Sequence, residues 1–303
     1  MVLAGMIRAT SFLSLTLLLG CDLAKFAAGS TADVFTEASP ALDAHFDVTM
    51  IGDALPANVM QLEGLLRVVP DHEGALLGAM RGYGSYAYGY VEDEAERLEA
   101  AGDAEGASEQ RRRALLLYRR ATELAHHYAA LRLDGFEEAR EEGVPAFRAW
   151  LDDLDRDDAE DLFWVGFTWG QWINAAYPNE RHADRDFALA MVRRSVALDP
   201  RVYGASGSGV LAFAATRAPG TTVEGAERAW RVALERSERK NLLLLVFMAR
   251  TYAVRVRDRA LYVALLREVL EAGDLDPEMR LSNLIAKRRA ERYLREVARL
   301  FPN

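Results

Sequence analysis

From Asp53 onward, apolar residues recur at the spacing of an α-helix almost without interruption, and this periodicity constrains the fold more than any other feature. Two stripes show it clearly. The first comprises Leu55, Val59, Leu62, Leu65, Leu66 and Val69 and stops at Pro70, and the second comprises Leu76, Met80, Tyr83, Ala87 and Tyr90. No stretch alternates apolar and polar residues for long enough to indicate a strand. The pattern therefore predicts an all-α protein.

A helical chain of this length is expected to contain repeats, and one recurring spacing is that of tetratricopeptide-type helix pairs. The residues with this spacing of small, bulky, small and proline are Ala188, Val192, Ser195 and Pro200, and, without the proline, Ala226-Trp230-Ala233 and Ala114-Tyr118-Ala121. Because each helix alone would expose an apolar face, we expect a tetratricopeptide-like helical-repeat solenoid of roughly three to four degenerate helix pairs plus extra helices. An ordinary helical bundle would produce the same periodicity.

Glycine and proline clusters interrupt the helical pattern and predict the connections between helices. These breaks lie near residues 102–106, 143–145, 178–179, 204–220 and 273–277. The fourth break begins with the glycine-rich run Gly204-Ala205-Ser206-Gly207-Ser208-Gly209. Since this run lies between helices and follows no strand, we expect a flexible connection and not a phosphate-binding loop.

The N-terminus has the arrangement of a secretory signal peptide, with Arg8 followed by an apolar run that is too short to span a membrane. The run ends at Leu18-Leu19-Gly20-Cys21, which resembles a bacterial lipobox, where a peptidase cuts before the cysteine and the thiol carries diacylglycerol. Because Cys21 is the only cysteine, the chain can form neither an intramolecular disulfide nor a cysteine-based metal cluster. A secretory peptide with an incidental cysteine is the alternative interpretation.

These features predict three segments: a lipoprotein signal peptide at residues 1–20, a lipidated N-terminal tether and first helix at 21–50, and a single all-α helical-repeat domain at 51–303. The small and polar residues between about 22 and 50 show only a weak helical period, which favours a tether. Asp22 resembles the enterobacterial signal that retains lipoproteins in the inner membrane. We therefore expect a periplasmic protein that is lipid-anchored to a bacterial membrane.

Charge and motif content exclude several classes of function. The formal net charge is −9 and no basic stripe is concentrated on one segment, so a nucleic-acid partner is not expected. The five histidines form no HExxH motif, and the chain has no nucleophile elbow, phosphate-binding loop or dinucleotide motif. The acidic run from Asp152 to Asp161 lacks the turn glycine of a calcium loop, and we expect Asp157 or Asp158 to cap a helix instead. The sequence predicts no catalytic residue, no metal and no cofactor.

Two aromatic sets remain as candidates for a ligand or partner face. Tyr83, Tyr86 and Tyr90 lie within about 60° on one helix face, and Glu94 continues that face one turn later. Trp164, Trp169 and Trp172 place three indoles on one short helix. Such faces are typical of a packed core, but tyrosine and tryptophan also suit an amphipathic pocket or a partner surface, and the pattern leaves both readings open.

Arg288 falls between Leu284 and Ile285 on the apolar side of its predicted helix, where a guanidinium needs a partner. We expect that partner to be Glu94, in a structural ion pair or in a ligand site. The neighbouring Lys287 and Arg289 are expected to be solvated.

Several segments of the chain carry a resemblance to a known family, and they occur in this order: Arg81-Gly82-Tyr83, Tyr86-Ala87-Tyr88, Val91-Glu92-Asp93-Glu94-Ala95, Tyr118-Arg119-Arg120-Ala121, Leu154-Asp155-Arg156-Asp157-Asp158, Leu162-Phe163-Trp164, Trp169-Gly170, Leu198-Asp199-Pro200 and the segment from Arg280 to Ala290. Together they resemble the T-component family associated with tripartite ATP-independent periplasmic (TRAP) transporters. The resemblance implies a non-enzymatic periplasmic lipoprotein that accompanies a TRAP-type uptake system as a scaffold. It also implies contact with the soluble substrate-binding component and a homo-oligomer, a trimer being one candidate, that passes a small and hydrophobic ligand.

Two other functions stay open at this point. A tetratricopeptide lipoprotein that serves as a scaffold for outer-membrane or pilus assembly would share the anchor and the helices. An enzyme that uses Glu94 and Arg288 in a pocket is the third hypothesis.

Overall fold

The computed structural model describes residues 23–176 and 182–302, and within them every regular element is helical, which confirms the predicted all-α class. The helices are α1 (residues 23–38), α2 (Pro40–Asp43), α3 (Val48–Leu66), α4 (Glu73–Tyr86), α5 (Asp93–Ala100), α6 (Ala104–Arg132), α7 (Phe136–Glu142), α8 (Val144–Asp153), α9 (Ala159–Ala175), α10 (His182–Leu198), α11 (Val202–Arg217), α12 (Val223–Arg236), α13 (Leu242–Met248), α14 (Arg259–Glu271), α15 (Arg280–Arg295) and α16 (Val297–Leu300). Two segments with π-type hydrogen bonding, π1 (Ala87–Glu92) and π2 (Ala249–Ala253), directly follow α4 and α13. Cys21 and the predicted break at residues 178–179 lie outside the described residues.

The residues with tetratricopeptide spacing are buried where helices cross. All nine small or bulky positions are at most 2% exposed: Ala114, Tyr118, Ala121, Ala188, Val192, Ser195, Ala226, Trp230 and Ala233. Neighbouring helices pack in the order α3–α4, α4–α6, α6–α9, α9–α10, α10–α11 and α11–α12. Small residues at these positions let the backbones approach closely, so the spacing reports helix packing.

The last long helix returns to the first part of the chain. α15 packs against α2 and α3 as well as against α13 and α14. Ile51, Leu55 and Val59 of α3 form one buried cluster with Leu281 and Ile285 of α15. Two larger clusters of buried residues also form, one built mainly from α3 to α10 and the other from α11 to α16.

Residues 23–38 form a helix where the sequence favours a tether. Ala32 is fully buried and Phe35 packs beside it against the first large cluster. The Oδ1 atom of Asp33 lies 3.1 Å from Nε2 of His72, the residue that caps α4. Tertiary packing of one helix face therefore compensates for the weak period.

Most of the connection expected at residues 204–220 is helical, because α11 occupies Val202–Arg217, and residues 218–222 link α11 to α12. Its glycines allow close helix crossing: a Cβ on Gly207 would lie 2.7 Å from Cγ2 of Val196. The first turn is left-handed, with φ of 43° at Tyr203, 58° at Gly204 and 59° at Ala205. Glycine here serves packing and a left-handed entry, so the expected flexible connection is wrong.

The predicted breaks near residues 102–106, 143–145 and 273–277 do separate helices.

The helix cap expected at Asp157 or Asp158 is instead formed by Asp155. Asp155 and Asp158 form a capping box on the 3-10 turn Arg156–Asp158, which leads into α9, and Asp158 itself makes no side-chain cap to α9. The turn begins earlier than the helical pattern indicates, which moves the cap to Asp155.

Candidate functional site

The candidate site is a cluster of buried charges between α15 and the segment π1–α5, named here the arginine seam. Arg288, Arg289 and Arg292 contribute the positive charges, and Asp93 and Glu96 the negative ones. Arg289 is 2% exposed and Arg292 8% exposed. Carboxylates and carbonyl oxygens accept hydrogen bonds from the terminal nitrogens of these guanidinium groups, which offsets the cost of their burial.

The ion pairs of the arginine seam are multiple and shared. Arg288 Nε lies 3.1 Å from Asp93 Oδ2, and Arg289 Nη1 lies 3.2 Å from Glu96 Oε1. Arg292 bonds both carboxylates, donating to Asp93 Oδ1 and to Glu96 Oε2. The hydroxyl of Tyr293 donates to Glu96 Oε2 over 2.7 Å. Glu96 is therefore held by three side chains of α15.

The arginines also bind the backbone and rings of π1. Arg289 donates to the carbonyl oxygen of Tyr88, and Arg288 donates to that of Gly89. The Arg289 guanidinium lies 4.0 Å from the ring centroid of Tyr88, and that of Arg288 lies 5.3 Å from the centroid of Tyr90. A π turn interrupts the α-helical pairing of carbonyls, and such turns are frequent at functional sites.

The second π turn contacts the same helix. Arg250 of π2 lies 4.2 Å from the ring centroid of Tyr293, and its Nη1 lies 3.5 Å from Glu296 Oε2. The ring centroid of Phe247, which lies at the end of α13 just before π2, is 5.6 Å from the ring centroid of Tyr88. Tyr88 and Tyr293 thus connect both π turns with α15.

Burial and charge act in opposite directions on the two carboxyls here. Burial alone would raise the pKa of Glu96, but Arg289, the Tyr293 hydrogen bond and Arg292 outweigh it and hold the pKa below its usual value. Burial raises the pKa of Glu92, and the charge of Arg289 offsets this only in part. The structure therefore favours an ionised Glu96 beside a Glu92 that retains its proton more readily.

The partner predicted for Arg288 is wrong by one residue. Glu94 accepts two hydrogen bonds from Arg97, at 2.7 and 2.6 Å, while Arg288 pairs with Asp93. The i→i+5 pairing of π1 rotates the residues that follow, so Glu94 does not continue the tyrosine face. Arg289, expected to be solvated, is buried in the arginine seam. The expected solvation of Lys287 is also wrong in part, because this half-buried side chain donates to the carbonyl oxygen of Ala272.

The three tyrosines of the predicted face are half-buried, and two of them, Tyr83 and Tyr90, bind α3. Tyr83 donates to Glu63 Oε1 of α3 over 3.1 Å, and Tyr90 donates to the carbonyl oxygen of Val48 over 2.8 Å. The rings of Tyr86 and Tyr90 stack with centroids 5.6 Å apart. Burial and the charge of Glu63 raise the pKa of Tyr83 to about 12. This face is part packing and part open surface.

Two of the three indoles of α9 lie deeper than the tyrosines, whereas Trp172 is half-buried. Trp169 is 1% exposed and stacks on Phe187 with centroids 5.8 Å apart. Trp164 is 4% exposed, and the Arg81 guanidinium lies 4.4 Å from its ring centroid. Arg81 in turn pairs with Asp43 over 2.7 Å. In this conformation both indoles pack in the interior.

Two shallow grooves open beside α14, and their lining residues include none of the residues predicted for a ligand or partner face.

Among the described residues, no group of three or more histidine, cysteine, aspartate or glutamate side chains is placed to hold a metal ion. No described helix is both long and apolar enough to cross a membrane.

Sequence reasoning missed most of the arginine seam. The signal was present as two charge clusters, Glu92-Asp93-Glu94 with Glu96, and Arg288-Arg289 with Arg292. Charged clusters on a helix normally indicate a solvent-exposed face. The residues near each cluster do not show that two segments about 200 residues apart in the chain will pack together.

Comparison with known proteins agrees with the resemblance carried by these segments. The family model described as TRAP transporter T-component matches residues 44–301, a range that includes α3 to α16 and the whole arginine seam. No curated protein gives a significant match. The chain therefore belongs to the TRAP transporter T-component family and is an accessory component of TRAP transport.

Proposed function

We propose that this protein is a periplasmic lipoprotein that acts as a non-enzymatic scaffold of a TRAP-type uptake system and binds its soluble substrate-binding component. The observation that carries the proposal is the family match over residues 44–301, which covers nearly all of the helical body that follows the lipobox-like sequence at Cys21. Under this proposal, the acyl chains on Cys21 hold the body at a membrane, with Asp22 favouring the inner one.

The ligand or partner face in this proposal comprises Tyr83, Tyr86, Tyr90, Trp164, Trp169 and Arg288. Glu94, which the sequence placed with them, pairs with Arg97 and lies outside this face. Its tyrosines and Arg288 are half-buried, so these aromatic and polar side chains are each accessible in part. This combination suits a small hydrophobic ligand that carries one polar end, or an amphipathic partner surface. Trp164 and Trp169 are buried and would take part only after a local opening of α9.

The same proposal includes self-association. A homo-oligomer, with a trimer as the candidate state, would place several copies of this face around one passage for the ligand. Light scattering coupled to size exclusion, on the lipidated protein in detergent, measures the oligomer mass directly, and a monomer at all concentrations would remove this part of the proposal.

Affinity capture from membranes tests the proposed partner. The tagged, lipidated chain should recover the substrate-binding component of a TRAP system, identified by mass spectrometry. Recovery of envelope or pilus assembly proteins without that component would support the alternative scaffold function and contradict this one.

Matched variants localise the contact. Tyr86→Ala changes the proposed face, whereas Leu116→Ala changes an exposed apolar residue of α6 that is 56% exposed. We expect severalfold lower recovery with Tyr86→Ala and unchanged recovery with Leu116→Ala, provided that circular dichroism shows both variants folded. Equal recovery with both would remove Tyr86 from the contact.

A further inference from the structure

The exposed face of α1 is apolar at the end nearest to Cys21. Leu23 is 67% exposed and Phe26 is 71% exposed, and Val34 further along is 66% exposed. We propose that the first two turns of α1 lie in the headgroup interface of the bilayer, so that Leu23 and Phe26 enter the lipid beside the acyl anchor. This inference rests on the proposed lipidation of Cys21.

The two faces of α1 have different environments. At about 100° per residue, Leu23, Phe26, Ala27, Ser30 and Val34 cover roughly 100° of the helix surface. All five are exposed. The opposite side carries the residues that pack on the body, Ala32 and Phe35. The packing of α1 on the rest of the protein thus determines which face of α1 points outward.

The position of Cys21 identifies the occupant of this face. Leu23 follows Cys21 by two residues, a span of at most about 7 Å. A diacylglyceryl group on that thiol is embedded in the bilayer, so the first turn of α1 must lie within reach of the headgroups. Leu23 and Phe26 would otherwise remain in water next to an apolar phase. A lipid surface therefore fits better than a protein partner.

Charges along α1 predict a tilt. Lys25 is the only charged residue among residues 23–32, and it suits anionic headgroups, whereas Asp33 and Glu37 follow in the second half. Val34 lies about 16 Å along the helix from Leu23, at 1.5 Å per residue. We therefore expect the N-terminal end to be immersed and the acidic end to stay at the water boundary.

Site-directed spin labelling of the full lipidated chain tests this geometry. Because lipid blocks the thiol of Cys21, a single new cysteine at Phe26→Cys, Val34→Cys or Met60→Cys is the only site for a nitroxide. Met60 of α3 is 64% exposed and serves as the control with matched exposure. The proteins are reconstituted into phosphatidylcholine–phosphatidylglycerol vesicles, and label accessibility to oxygen and to a water-soluble nickel chelate is measured.

The inference expects a severalfold higher oxygen-to-nickel accessibility ratio at position 26 than at position 60, with position 34 in between. An aqueous ratio at position 26 overturns it, as does a label there that neither reagent reaches, which would indicate a protein contact. Mass spectrometry separates these results from failure of the anchor. If the unsubstituted chain takes up one label, Cys21 is free, and the proposed anchor and this inference both fail.

Discussion

The guanidinium of Arg289 lies 4.0 Å from the ring centroid of Tyr88 and also donates a hydrogen bond to the carbonyl oxygen of the same residue, 201 positions earlier in the chain. One side chain thus binds both the ring and the backbone of π1. Since Arg289 sits on α15, the last long helix and the first π turn are stabilised together.

Replacement of Arg289 tests this coupling. Arg289→Met removes the donors to Glu96 and Tyr88, and leaves the half-buried carboxylate of Glu96 and the carbonyl oxygen of Tyr88 with fewer partners. We expect the free energy of unfolding to fall by about 3–5 kcal/mol, the usual cost of removing one partner of a buried ion pair. Urea unfolding followed by circular dichroism measures the change.

Arg295 provides the control, because it is an exposed arginine on the same helix. Arg295→Met should change the free energy of unfolding by no more than about 0.5 kcal/mol. Similar losses in both variants would show that the burial of Arg289 carries no special stability.

The lowered pKa of Glu96 predicts a pH dependence with a defined sign. A carboxyl whose folded-state pKa lies below its usual 4.5 stabilises the fold fully above that pH and loses this contribution as pH falls through the folded value. Glu96→Gln should therefore be less stable than the unsubstituted protein near neutral pH, and the difference should shrink below pH 4.5. Urea unfolding at pH values on both sides of 4.5 tests it.

Glu92 should behave in the opposite way, because its pKa is raised by burial. The folded state then binds the proton more tightly than the unfolded chain, so stability is lost as pH rises from 4.5 through the folded pKa. Glu92→Gln should gain stability relative to the unsubstituted protein as pH rises. If the two glutamine variants changed in parallel with pH, the assigned environments of Glu92 and Glu96 would be wrong.

Close packing of α9 on α10 predicts different effects for two glycines of α9. A Cβ on Gly166 would lie 2.9 Å from the carbonyl oxygen of Ala188, whereas one on Gly170 has no described atom within 4 Å. We expect Gly166→Ala to cost about 1–3 kcal/mol through overpacking. Gly170→Ala should stabilise by up to about 1 kcal/mol, because alanine is the better helix former. Thermal unfolding measures the stability of both variants. If Gly166→Ala were stabilising, α9 and α10 would pack less closely than the structure shows.

A structural feature of this protein can be predicted from the sequence when the residues that define it lie close together in the chain. Ala226, Trp230 and Ala233 were recognisable from spacing alone, since small residues flanking a bulky one report a helix crossing wherever its partner lies. The glycines of α11 resemble those of a loop, because only the neighbouring Val196 shows that Gly207 is a packing contact.

The arginine seam marks the other limit. Helical periodicity placed Arg288 on the apolar side of α15 and required a partner for it. It could not identify Asp93 as that partner. The π turn π1 changes the angular position of the residues of α5 that follow it, and no pattern in the amino-acid sequence marks such a turn. The burial of Arg289 depends on segments that meet only in the folded chain, so no local pattern could have indicated it.

The hydrogen bond between Trp230 and Thr216 predicts a penalty that side-chain volume cannot explain. Trp230 is fully buried, and its Nε1 donates to Thr216 Oγ1 over 2.8 Å. Thr216→Val keeps the shape but leaves the indole N–H without this acceptor, which should cost about 1–3 kcal/mol. Thr216→Ser keeps the hydroxyl and should cost less than about 1 kcal/mol, the loss of one buried methyl group. Urea unfolding should also show that Thr216→Val costs less when Trp230→Phe has already removed the donor, because the penalty belongs to the pair. Equal costs in both backgrounds would assign the loss to packing and not to the hydrogen bond.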